Sequence, residues 1–120
     1  MKLYGIANCD TVKKARAWLA AQRLDISFHD FRKNGLDEAT LKKWMEQVGW
    51  EKLLNRKGTT WRQLTEDTRL SITGEAAALA LMLEKTSLIK RPVLEFDGVL
   101  QVGFDEAAYR ALFGIDAQPS

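Results

Sequence analysis

Lys2-Leu3-Tyr4-Gly5-Ile6-Ala7-Asn8-Cys9-Asp10-Thr11-Val12-Lys13-Lys14-Ala15-Arg16 is the stretch whose reading decides the fold. Residues 2–6 are short, apolar and β-prone, and Ala7-Asn8 supplies a turn. From about Asp10 the pattern changes. Val12, Ala15, Leu19 and Ala20 recur on one helical face, with Lys13, Lys14 and Arg16 on others. Leu24 to Phe31 then alternates apolar and polar residues and reads as a second strand, closed by Asn34-Gly35. Strand, helix and strand within about 30 residues make a βαβ unit, so the two strands run parallel.

Cys9 stands where that first strand gives way to the helix, and it is the only cysteine in the chain. The first turn of a helix carries unpaired N–H groups and the positive end of the dipole. Both stabilise a thiolate and draw a cysteine pKa from about 8.5 toward the ~3.5–7.5 range of reactive thiols. A lone cysteine is also a common inert core residue. The strand–Cys–helix setting favours the nucleophile. Asp10 opposes it if its carboxylate caps the helix, and Lys13 and Lys14 offset this in part.

The middle of the chain is helical. Asp37 caps a helix bearing Leu41, Trp44, Met45 and Val48, and Gly49 ends it. Residues 50–70 read as short helical turns joined by Gly58-Thr59-Thr60. Thr73 caps an apolar helix from about Gly74 to Glu84. Beyond Pro92 the period becomes two: Val93–Phe96, Asp97-Gly98, Val99–Val102. Asp-Gly between apolar runs signals a two-residue hairpin. Asp105 caps a last helix with Ala108, Tyr109, Leu112 and Phe113, stopped by Gly114. The order β-α-β, helices, β-β-α is that of an α/β thioredoxin-like fold with a mixed four-stranded sheet. We expect one domain over 1–114, a helical insert over about 36–86, and a frayed tail over 115–120.

Composition narrows the function classes. The chain has 120 residues, 46% hydrophobic and 28% charged, enough for one real core. A net charge of +2 from 18 basic and 16 acidic residues does not indicate direct nucleic-acid binding. No run approaches the ~20 apolar residues of a membrane span, and no signal peptide is evident. One cysteine permits no internal disulfide, which points to the reducing cytoplasm. His29 and Cys9 are too few and too far apart for a zinc-type site, so no metal is expected. His29 reads as a strand residue. Trp18, Trp44, Trp50 and Trp61 read as packing anchors.

Three anchors, Tyr4-Gly5-Ile6-Ala7-Asn8-Cys9-Asp10-Thr11, Leu53-Leu54-Asn55-Arg56-Lys57 and Leu88-Ile89-Lys90-Arg91-Pro92-Val93, together resemble the arsenate-reductase-like family. That group holds ArsC-type arsenate reductases, Spx-type transcription regulators and YffB-type proteins, and the likeness is closest to the YffB type. The resemblance implies a cytoplasmic thioredoxin-like protein with Cys9 as catalytic nucleophile. It also implies that Arg91 and Arg56, with Asn8, Thr11 and Pro92, form the substrate- and anion-binding surroundings. Pro92 would be a cis-proline facing the cysteine loop.

Departures from arsenate reductases are specific. Gly5 stands where those enzymes carry a histidine, Val12 where they carry a hydroxyl, and Lys13 where they carry an arginine. Of three oxyanion-holding arginines two match Arg56 and Arg91, while the third position falls near Val102. An oxyanion needs several convergent charge-assisted donors, so weak or no arsenate turnover is expected. Val12 also removes the Cys-x-x-Cys switch common in Spx-type regulators. The expectation is a glutathione-using thiol/disulfide reductase, monomeric, with no bound cofactor. Glutathione or a glutaredoxin would be its resolving partner, and a small thiol or oxyanion its substrate. The alternatives are an Spx-like regulator binding RNA polymerase, or an arsenate reductase proper.

Overall fold

The computed structural model describes residues 1–115. From 116 onward the expected tail lies outside the described residues. Four strands form one sheet in the order β2-β1-β3-β4. These are β1 (Lys2–Gly5), β2 (Ser27–Asp30), β3 (Val93–Phe96) and β4 (Val99–Val102). β1 runs parallel to β2 and antiparallel to β3, and β3 pairs antiparallel with β4, so the sheet is mixed as expected. The architecture is thioredoxin-like α/β, with α1 (Asp10–Ala21) completing the βαβ unit and α8 (Glu106–Phe113) following the hairpin.

Alternation along the strands separates two cores. Leu3 and Leu94 are register partners and face Ala15, Trp18 and Leu19 of α1 and Tyr109 of α8. Tyr4 and Val93, the next pair, face Phe31 and, in the helical insert, Leu41, Trp44 and Met82. A one-residue slip would exchange these faces, so burial on both sides fixes the register. The insert is tied to the sheet by polar contacts as well. Glu95 accepts from Tyr4 Oη at 3.0 Å and from Trp44 Nε1 at 2.9 Å. One carboxylate thus joins β1, β3 and the first long helix of the insert.

The insert contains α3 (Glu38–Val48), α4 (Trp50–Leu53), α5 (Thr59–Gln63), α6 (Glu66–Ser71) and α7 (Glu75–Glu84), then a 3₁₀ turn at Thr86–Leu88. Its return to the sheet is held by Asn55 N–H to Leu88 O and Lys90 N–H to Leu53 O, both 2.7 Å. The hairpin turn matches its sequence signal, since Asp97 (φ 51°) and Gly98 (φ 79°) both adopt the left-handed conformation.

Three local expectations need correction. The second strand is shorter than Leu24–Phe31, because Asp30 ends it by capping α2 (Phe31–Asn34). The N-cap of α7 is Gly74 rather than Thr73. Thr59 and Thr60 belong to α5 rather than to a linker, with Gly58 as the cap.

One close approach sets how α1 sits on the sheet. A β-carbon built on Gly5 would stand 2.7 Å from Cγ2 of Val12, a fully buried and stiff β-branched side chain. Glycine is required there by space. Gly5→Ala is expected to lower unfolding free energy by about 1–3 kcal/mol in denaturant titrations. Adding Val12→Ala should cost less than the sum of the two single changes, because the clash is shared. Strict additivity would show that the two positions are not in conflict.

Candidate active site

Beyond Gly5 the chain passes through buried Ile6 and turns at Ala7-Asn8. The turn closes where Cys9 N–H donates to Ile6 O at 3.1 Å, and Lys13 N–H donates to Cys9 O at 2.9 Å to open α1. Cys9 is itself the N-cap, with φ −99° and ψ 128°, and no side chain makes a capping hydrogen bond. Cap positions usually hold Ser, Thr, Asp or Asn, whose oxygen takes up the first-turn N–H groups. Here a sulfur occupies that place. Asp10 is the first helical residue, exposed, and does not cap the helix, so the expected competition for donors is absent at this position.

The Cys9 thiol is half-buried, and burial by itself pushes its pKa up. That push is outweighed by the backbone N–H of Val12, by the hydrogen bond and charge of Arg91, and by the N–H of Thr11. The net result lies below the ordinary thiol value. Arg91 precedes a cis peptide bond to buried Pro92, and its Nη1 donates to Ser87 O at 3.0 Å. Lys13 and Lys14 are exposed, and among the described residues the charge that lowers the thiol is that of Arg91.

The other expected site residues divide. Asn8 and Thr11 are exposed, and Thr11 acts on the sulfur through its backbone N–H. Arg56 is not among the groups that perturb Cys9. Its guanidinium lies over Trp50 (5.5 Å) and Trp61 (5.8 Å). Val102, near which the third arginine would fall, pairs with Val93, and the next N–H, of Gly103, donates to Pro92 O at 2.8 Å. That position therefore lies beside the cis-proline but offers no donor. His29 serves structure, its Nε2 donating to Gly35 O at 2.7 Å.

Asp30 is the residue that sequence reasoning missed. It is 6% exposed, and its Oδ2 accepts from Ala7 N–H at 3.1 Å. Its Oδ1 accepts from Arg32 N–H at 2.8 Å and Lys33 N–H at 3.2 Å. Burial pushes this carboxyl up, yet the N–H groups of Ala7, Arg32 and Lys33 and the Lys33 charge bring it below the usual carboxylate value. A single buried charge thus caps α2 and pins the cysteine loop. An Asp before Phe-Arg-Lys is a legible cap signal, hidden by reading the strand one residue too far.

The profile of the ArsC family matches residues 4–112. A solved structure of a protein designated YffB is 47% identical, covers 92% of this chain and 96% of its own, and superposes with a TM-score of 0.87. The solution structure of an arsenate reductase (ArsC) related protein from Brucella melitensis is 54% identical, with coverages of 93% and 92% and a TM-score of 0.75. A global transcriptional regulator, Spx, from Streptococcus pyogenes is 28% identical over 91% of this chain and 81% of its own.

Alkylation by iodoacetamide follows the thiolate fraction, so its rate should rise with pH through a midpoint below the ~8.5 of a free cysteine. Removing a cation favours the thiol, so Arg91→Ala should move that midpoint upward by about one unit. A midpoint unchanged by Arg91→Ala would reduce Arg91 to a surface charge.

Proposed function

The chain belongs to the ArsC family, and from that footing we propose that it is a thiol/disulfide reductase with Cys9 as nucleophile and glutathione as co-substrate. The observation that carries this reading is the half-buried Cys9 thiol at the uncapped start of α1. Against the upward push of burial, Val12 and Thr11 N–H and Arg91 keep it below its ordinary pKa. A thiolate is the attacking form of cysteine, and a low pKa also makes it a good leaving group.

With one cysteine in the chain, the second thiol comes from outside. The Cys9 thiolate attacks the glutathionyl sulfur of a mixed disulfide R–S–S–G. A bond forms between Cys9 and that sulfur, the old S–S bond breaks, and R–S⁻ leaves with the electron pair and takes a proton. A glutathione thiolate then attacks the same glutathionyl sulfur, releasing oxidised glutathione and restoring the Cys9 thiolate. The balance is R–S–S–G plus glutathione giving R–SH plus oxidised glutathione. A glutaredoxin thiol could replace glutathione in the second step. Such chemistry suits a reducing compartment such as the cytoplasm.

Oxyanion reduction is the weaker assignment. Gly5, packed against Val12, has no room for a histidine, Val12 brings no hydroxyl, and Val102 gives no third donor. A second reading, a regulator acting through RNA polymerase, is supported by the likeness to a transcriptional regulator. It needs a binding surface rather than a sulfur.

Turnover of a glutathione mixed disulfide should therefore fall to background in Cys9→Ser, since a hydroxyl is a far weaker nucleophile at neutral pH. Arsenate should give weak or no turnover with either protein. Binding to the RNA polymerase α C-terminal domain is measured alongside. Binding that survives Cys9→Ser, with no turnover in wild type, would overturn the reductase in favour of the regulator.

A further inference from the structure

Beside the 3₁₀ turn, Arg56, Trp61, Arg62 and Arg69 line an open hollow of about 380 Å³. Two of its three cations, Arg69 and Arg56, are held by neutral partners. Arg69 Nη1 donates to the carbonyls of Arg62 and Leu64, which fixes it between α5 and α6. Arg56 is fixed by the rings of Trp50 and Trp61. Among the described residues no carboxylate pairs with Arg56, Arg62 or Arg69. Guanidinium groups positioned in this way keep their charge uncompensated, and arginine's planar fork suits carboxylate or phosphate.

The hollow is linked to the cysteine. Arg91, which acts on Cys9, donates to Ser87 O, and the Ser87 hydroxyl bonds the hydroxyl of Thr60 at 2.9 Å, the neighbour of Trp61. Cys9, Trp50 and Trp61 also pack against one hydrophobic cluster. We propose that this hollow is an anion subsite that takes the carboxylate end of a small peptidic thiol while its sulfur lies at Cys9. Arg62 and Arg69 are its new determinants, joined by Arg56, and the site deepens the reductase reading on which its pairing with Cys9 rests. Charge and fixed geometry supply affinity here, so salt weakens the binding.

The probe is S-methylglutathione, whose capped sulfur cannot react with Cys9, titrated by calorimetry. Wild type should bind it, and exposed Arg62→Glu, checked for folding by its melting curve, should bind about tenfold more weakly. The diester of the probe should bind neither protein. No binding to wild type, equal binding by Arg62→Glu, or equal binding of the diester overturns the subsite. Binding of inorganic phosphate without the probe also overturns it, because the assignment is to carboxylates. In parallel, Arg62→Glu should raise the KM for a glutathione mixed disulfide by about tenfold. Absence of turnover in wild type sinks the reductase reading, while the calorimetry still decides the subsite.

Discussion

Where β1 meets α1, the lack of a side chain at Gly5 lets Val12 stand so close that a β-carbon would be 2.7 Å from its Cγ2. That contact lowers the first turn of α1 onto the end of the sheet, and it leaves three residues between Ile6 and the first helical residue, Asp10. Cys9, the last residue of that connection, is the N-cap of α1. On the other side Asp30 draws Ala7 toward β2. The loop is therefore held at both flanks, by packing from α1 and by a buried charge from the β2–α2 junction. The thiol's electrostatics follow from this placement, since first-turn N–H groups aim where the sulfur sits.

The same contact bears on the chemistry proposed for the site. A histidine at position 5 would need the volume that Val12 fills, and a hydroxyl at position 12 would need a smaller packing role than valine plays. The Gly5–Val12 pair is thus one packing solution rather than two separate losses. Val102 beside cis-Pro92 adds an apolar wall where another donor would lie. What remains is one arginine near a polarised sulfur, which supports the proposed attack on sulfur over the gripping of a tetrahedral oxyanion.

Much of this was legible in the sequence because the signals are local. Asp97-Gly98 specifies its hairpin through two left-handed residues, Asp105 and Gly114 bracket α8, and the strand–Cys–helix step is written in a dozen consecutive residues. Contacts between distant residues were not legible from pattern. The Asp30–Ala7 bond spans 23 positions, and the alternating run from Leu24 to His29 hid the cap beneath a strand reading carried on to Phe31. Arg91 came to Cys9 only through family resemblance, since 82 positions of sequence separate them and no periodicity connects them. Arg62 and Arg69 sit in helices of five and six residues that look like ordinary surface segments, and only the folded backbone brings them to one hollow. The second reason is chemical: a surface arginine and a preorganised one are identical until the partners of the guanidinium are known.

The central claim is that folding makes Cys9 a nucleophile toward sulfur. Its most direct test is the intact mass of the folded protein after exposure to oxidised glutathione at neutral pH, with peptide mapping of the adduct. The account predicts one glutathionyl group, attached at Cys9, formed faster than on the urea-unfolded chain. A folded chain that stays unmodified while the unfolded chain reacts would contradict it, for the fold would then be shielding the sulfur.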